Sequence, residues 1–215
     1  MRLYLPLLAL CLLVSTPLHA QGKGTTPGKE RREADARLLG RALEYFASAK
    51  YHEASLILER LDSLYRLNPR YKAYLGVCHY YEWDYERAIS CLERSLPYLD
   101  DFSPGERSFY YWADAESHFL LGRYAEAIPL YQKMLTLCHE NEKPDAYYRL
   151  GFCYVFANEW AEASRYLRLS LRYYRQLRNT PDMKARIAQI TNMIRGCEEK
   201  TGIQADSIPA PAPKP

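Results

Sequence analysis

The sequence predicts an all-α solenoid of about four helical hairpins, closed by a C-terminal capping helix. Three observations carry that prediction. First, an aromatic residue followed three positions later by Ala recurs four times: Tyr51 with Ala54, Tyr85 with Ala88, Tyr124 with Ala127, and Trp160 with Ala163. The Ala-to-Ala spacings are 34, 39 and 36, and a period in the thirties marks a chain that stacks similar supersecondary units. Second, the phrases LGVCHYYEWDYERA, from Leu75, and LGFCYVFANEWAEA, from Leu150, repeat one frame 75 residues apart. Third, a helical stretch lies on each side of every aromatic, and links as short as 48–50 and 121–123 force the two helices of a unit to pack antiparallel.

In chain order, residues 1–20 have the layout of a secretory signal peptide. Arg2 gives a positive start, 3–14 is almost wholly apolar, and a short exit ends at Ala20. The apolar run falls well short of the roughly 20 residues a spanning helix needs. Cys11 follows Leu10 inside that run, where a lipoprotein site would need a small residue before the cysteine. The expected protein is therefore exported: periplasmic if its source is a Gram-negative bacterium, otherwise secreted. Residues 21–32, rich in Gly and charge, read as a flexible leader to a domain over 33–200.

Within that domain the first helices of the units are expected near 33–47, 71–82, 106–121 and 145–157. The second helices are expected near 52–66, 86–98, 125–139 and 161–177. Pro144-Asp145 and Ser103-Pro104-Gly105-Glu106 are good helix starts. Thr180-Pro181-Asp182 opens a capping helix over 181–200. Its apolar stripe is Met183, Ile187, Ile190, Ile194 and Cys197, and its other face, with Lys184, Arg186, Gln189, Asn192 and Arg195, is polar. A one-sided terminal helix is what an open stack needs to shield its last unit. Gly202 is a stop signal, and 201–215, with Pro209, Pro211, Pro213 and Pro215, reads as an extended, unpacked tail.

Ala42, Gly76, Ala115 and Gly151 each stand twelve residues before the alanine of their unit. Small residues at that separation are expected to face each other where the two helices cross. Gly76, Ala88, Ala115, Ala127, Gly151 and Ala163 are thus the expected structural repeat positions. Leu75-Gly76, Leu150-Gly151, Tyr154 and Gly122-x-Tyr124-x-x-Ala127, with hydrophobes Leu58, Leu92, Tyr131 and Leu167 four residues after each Ala, resemble the tetratricopeptide repeat (TPR). The resemblance covers about 35–178. It departs at Arg41-Ala42 and Asp114-Ala115, and two spacings exceed 34, which calls for longer links. It implies a right-handed α-solenoid that binds another protein or peptide segment along a concave face lined by the first helices.

The sequence offers few residues arranged for chemistry. The formal net charge of +3 does not advertise nucleic acid or an anionic membrane as partner. The Arg and Tyr residues interleaved over 165–178 suit a solvated helix face better than RNA stacking. Cys78, Cys91, Cys138, Cys153 and Cys197 are odd in number and form no Cys-x-x-Cys pair, so they read as small buried hydrophobes with no disulfide essential to folding. His79 and His118 occupy equivalent repeat positions and read as packing. No Gly-rich phosphate loop, Gly-x-Ser-x-Gly elbow or His-Glu-x-x-His helix is present. The expectation is no catalytic residue, no metal and no cofactor, with an enzyme using Cys153 or a histidine pair as the distant alternative.

The resemblance places a set of residues on the concave face. They are Leu39, Leu43 and Phe46; Arg70, Val77, Tyr80 and Tyr81; Phe109, Trp112, Glu116, Phe119 and Leu120; and Asp145, Tyr148, Phe152, Val155 and Phe156. The expected partner-binding groove is Tyr80, Tyr81, Phe109, Trp112, Glu116, Phe119, Tyr148, Phe152 and Phe156. Arg70 alone does not make the Lys, Asn and Arg set that grips a terminal carboxylate. The aromatic wall instead suits an apolar helix or extended segment. The alternatives are aromatics that fill the core between units, and a groove occupied by the chain's own terminus or a second copy. On the convex face, Glu59, Arg60, Glu93, Arg94, Gln132, Lys133, Arg165 and Arg168 read as a solvated mixed-charge surface.

Overall fold

The computed structural model describes residues 27–202. Residues 1–26, with the expected signal peptide and the first part of the expected leader, and the Pro-rich tail beyond Gly202 lie outside the described residues. Helices α1 (Pro27–Ala47) and α2 (Tyr51–Tyr65) form the first hairpin, α3 (Pro69–Tyr81) and α4 (Tyr85–Ser95) the second. The third is α5 (Pro104–Leu120) with α6 (Tyr124–Leu135), and the fourth α7 (Lys143–Phe156) with α8 (Trp160–Leu177). Helix α9 (Lys184–Thr201) follows as the cap. Each helix packs on its hairpin partner and on the next unit, and among the described residues there is no strand. This is the α-solenoid the repeat predicts. Among the described residues no helix is long and apolar enough to cross a membrane.

Local chemistry explains the boundaries. Asn68 accepts a hydrogen bond from the Tyr71 N–H and Pro69 opens α3. Ser103 and Pro104 do the same for α5, and Asp84 caps α4. A side-chain acceptor satisfies a backbone donor that has no partner inside the helix, and Pro lacks a donor that would need one. Helix α1 begins at Pro27, inside the stretch expected to be a loose leader. Gly28 is followed by helix-compatible residues, and Lys29–Glu33 and Arg31–Asp35 pair at i,i+4 along the first turns.

All four hairpin turns use one device. Ala49, Trp83, Gly122 and Asn158 have φ of 56°, 64°, 74° and 59°, in the left-handed region. The next residue then donates back across the helix end: Lys50 N–H to Tyr45 O (2.8 Å), and Asp84 to His79, Arg123 to His118 and Glu159 to Tyr154 (2.9 Å each). This is the six-residue bond of a Schellman end. Glycine takes that conformation without strain, yet one turn of four has it, and at Trp83 a bulky ring sits 80% exposed. The 39-residue spacing is absorbed by a 3-10 turn, Leu96–Tyr98, which buries Leu96 and Leu99 between units two and three.

The helix crossings differ in detail from the expected small-against-small contact. A Cβ on Gly76 would lie 2.7 Å from Leu92 Cγ and 3.2 Å from the Ala88 carbonyl oxygen. A Cβ on Gly151 would lie 2.6 Å from both Cγ and Cδ2 of Leu167. The glycine therefore seats the leucine one turn beyond the alanine, and Ala88 contributes its backbone. At the far end, Ile190, Ile194 and Cys197 of α9 cover Tyr148, Leu167 and Tyr174.

Candidate functional site: an aromatic groove across the first helices

Trp112, on α5, is the centre of the groove. Its ring lies 5.0 Å from Tyr80 edge-on, 5.7 Å from Phe109 nearly parallel, and 6.4 Å from Tyr81. Two depressions meet at this side chain. The larger, about 520 Å³, is walled by Tyr80, Trp112, Tyr148 and Phe152, with Glu116, Tyr131, Asp145, Arg149, Arg186 and Gln189 supplying polar atoms. The smaller, about 210 Å³, is lined by Tyr81, Ser108, Phe109, Met134, Glu142 and Arg178, and again by Trp112 and Asp145. The walls come chiefly from α3, α5, α7 and α9, with Tyr131 and Met134 of α6 at the floor.

The polar floor is already satisfied. Glu116 is 3% exposed, and Arg149 donates to it through Nε and Nη2 at 2.7 Å each. Tyr131 donates its hydroxyl to the same carboxylate at 2.6 Å. The Arg149 guanidinium also lies 4.6 Å over the Phe119 ring. Both oxygens of Glu116 are engaged, so this residue ties unit three to unit four and does not await a ligand. Removing either partner of such a pair would leave the other charge uncompensated, which is strongly destabilising for the buried Glu116. Asp145 accepts from the Tyr174 hydroxyl and from Arg178 Nη1 at 2.7 Å. Arg186, from the cap, lies 4.3 Å over the Tyr148 ring and has no carboxylate partner among the described residues. Among the described residues of this lining it is the arginine that makes no ion pair.

Of the expected groove residues, Tyr80, Trp112, Glu116, Tyr148 and Phe152 line the larger depression, and Tyr81 and Phe109 the smaller. Tyr148, like Glu116, is mostly buried and presents only an edge. Phe119 and Phe156 line neither. They gather around Tyr124, which stacks on Phe156 at 4.3 Å and meets Phe119 edge-on at 5.3 Å. Arg70 is consumed by Glu106, with bonds of 2.7 and 2.9 Å. Sequence reasoning missed Tyr131, Arg149, Arg186 and Gln189. Arg186 and Gln189 were expected only as part of the cap's polar face; the structure turns that part of the face toward the groove.

Elsewhere the chemistry is that of packing. Burial pushes the Cys78 and Cys153 thiols up to about 12 and Cys138 to about 11, so none is poised as a thiolate nucleophile at neutral pH. All five cysteines among the described residues are free thiols. His79 Nε2 lies 3.6 Å from Glu59, and His118 Nε2 lies 3.4 Å from Glu93, one contact repeated in successive units. Burial holds His79 below the usual imidazole range. No group of three His, Cys, Asp or Glu among the described residues is arranged to hold a metal ion. Part of the supposed solvated surface also joins helices: Arg168 pairs with Glu198 on the cap, and Glu59 with Arg87 at 2.7 Å.

Residues 118–190 match the tetratricopeptide repeat family, from the end of α5 through unit four and into the cap. No curated protein matches the chain. Among solved structures, MamA from AMB-1 is similar with a TM-score of 0.64 at 16% identity, over 83% of this chain and 88% of that one. Another MamA crystal structure gives 0.54 at 18% identity, over 84% and 99%. The apo form of RapI gives 0.59 at 14% identity, over 79% and 64%. At these identities the likeness is one of fold: an all-helical tetratricopeptide-type stack.

Proposed function

We propose that the protein is a non-catalytic interaction module, a scaffold of an exported assembly, that holds an apolar segment of another protein across its concave face. The observation that carries this reading is Trp112, half-buried at the junction of two depressions and ringed by Tyr80, Tyr81 and Phe109. Aromatic anchors in partly desolvated pockets supply most of the energy of such interfaces. The satisfied Glu116–Arg149 pair gives the groove a rigid polar floor, and Arg186 offers one cation to a carbonyl or carboxylate of the bound segment. The tetratricopeptide match and the fold support an interaction role, since peptide recognition in a groove is what such stacks of hairpins provide.

A peptide display library panned on the protein tests this. Selected peptides should carry apolar anchors. Trp112→Ala should weaken them by about 2 kcal/mol or more while the melting temperature holds, and Lys133→Ala on the convex face should leave both unchanged. Should Trp112→Ala unfold the protein, the aromatics are core. Should it stay folded and bind like the parent, the concave face is not the working surface. The scaffold's exported setting rests on the layout of residues 1–20. N-terminal sequencing of the protein recovered outside the cytoplasm should begin near Gln21, and a chain retained inside with its leader intact refutes export.

A further inference from the structure

We propose that the groove has a built-in occupant: the Pro-rich segment of the same chain, residues 205–215, lies extended across the aromatic wall and competes with the partner. The inference rests on the groove reading above and names what fills the groove when no partner does.

Three features lead there. The first is where the chain leaves the fold. Helix α9 packs back along α8, so its last turns lie beside the first turns of α8. Cys197 shares a core cluster with Ala163, and Glu198 meets Ser164 and Arg168. The start of α8 is joined to the end of α7 by the turn at 157–159. Gly202, with φ of 66°, therefore turns the chain outward at the edge where α7 ends, and the first helices of the other units end at that same edge. Tyr80, Tyr81, Phe119, Phe152 and Phe156 all sit within the last turns of those helices.

The second is reach. Packed helices stand about 8–10 Å apart, so passing from α9 over α7 and α5 to α3 takes roughly 30 Å. Residues 203–215, extended at about 3.1 Å each, span roughly 40 Å. The third is chemistry. Pro209, Pro211, Pro213 and Pro215 alternate with Ala210, Ala212 and Lys214 after Ile208. Proline fixes φ, so an extended segment of this kind loses little freedom on docking, and its rings fit slots between aromatic side chains. Tyr80, Trp112, Tyr148 and Phe152 form such slots around the larger depression.

Tethering makes weak contacts sufficient. A short linker holds the segment at an effective concentration in the millimolar range, so an intrinsic affinity of about 100 μM would fill the groove about nine-tenths of the time. A partner would then bind about tenfold more weakly than to an empty groove.

The test uses the full chain with a benzoyl-phenylalanine photo-crosslinker at position 210. Cross-links should map to the peptides holding Tyr80, Trp112 or Phe152, with a yield unchanged on hundredfold dilution. Cross-links to the convex face, no internal cross-links, or a yield that falls with dilution as for a second copy would each overturn the proposal. In a second arm, Pro209→Gly, Pro211→Gly and Pro213→Gly together should tighten a library-selected groove peptide by about tenfold. Equal affinity with and without these changes sinks the built-in occupant but leaves the groove reading intact. The reverse pattern, groove cross-links with no peptide that binds either form, sinks the partner groove and leaves the occupant standing.

Discussion

Asp114 occupies the position where units two and four carry Leu75 and Leu150. It is fully buried, and neither carboxylate oxygen has a hydrogen-bond partner. His118 Nε2 lies 3.8 Å away, and Glu93 adds repulsion from α4. Burial first, and Glu93 second, push the Asp114 carboxyl up to about 8. The folded state therefore keeps a proton that the unfolded chain releases near pH 4, so stability falls as pH rises from about 4 to about 8. The melting temperature should drop on the order of 5 °C or more across that range. Asp114→Leu should raise it at pH 8 and flatten the slope; an unchanged pH profile would show that Asp114 is not its source. The sequence marks Asp114 as a departure from the repeat. It does not show that the carboxylate lacks a donor, because that depends on what α4 presents across the seam. Arg149 was hidden for the same reason: its partner Glu116 lies 33 residues away and meets it only once two units stack.

The helices themselves were legible, because each aromatic-x-x-Ala phrase marks both the hairpin turn and the start of the second helix. The expected spans agree with the observed ones to within a few residues, apart from the earlier start of α1. What could not be read was which side chain each glycine admits. Gly151 seats Leu167 with no room for a methyl group, whereas a Cβ on Gly40 in α1 would meet nothing within 4 Å. Gly151→Ala should therefore cost about 1–3 kcal/mol, while Gly40→Ala should be neutral or gain up to ~1 kcal/mol through helix propensity. Equal effects in chemical denaturation would mean that the crossing is looser than described. The left-handed turns show the complementary limit. The repeat frame locates all four, but glycine, the usual signal, stands at Gly122 alone.

At the scale of the molecule, four core clusters run along the stack, each bridging neighbouring helices, and the cap closes the last. In such an architecture each unit packs on its neighbours, so each seam is held locally. Within three of the hairpins a tyrosine hydroxyl of the second helix donates to a carboxylate of the first, closing the seam between them: Tyr65 to Asp35, Tyr131 to Glu116 and Tyr174 to Asp145. Tyr110 does the same within α5, to Glu106, which also holds Arg70 from α3. These bonds need the phenol proton, which makes alkali the natural solvent for taking the stack apart. Burial raises Tyr51 and Tyr154 to about 12, and Tyr80, Tyr110, Tyr131 and Tyr174 above the ordinary range. A raised phenol contributes stability that is complete below pH 10 and disappears as pH climbs through its folded value. Tyrosinate absorbance should therefore rise in two waves, exposed rings near pH 10 and seam rings later, with helicity lost in step with the second. A single wave near pH 10 that left helicity intact would mean the seams do not depend on their phenols. With two waves, the buried tyrosines serve as built-in optical reporters of when the stack comes apart.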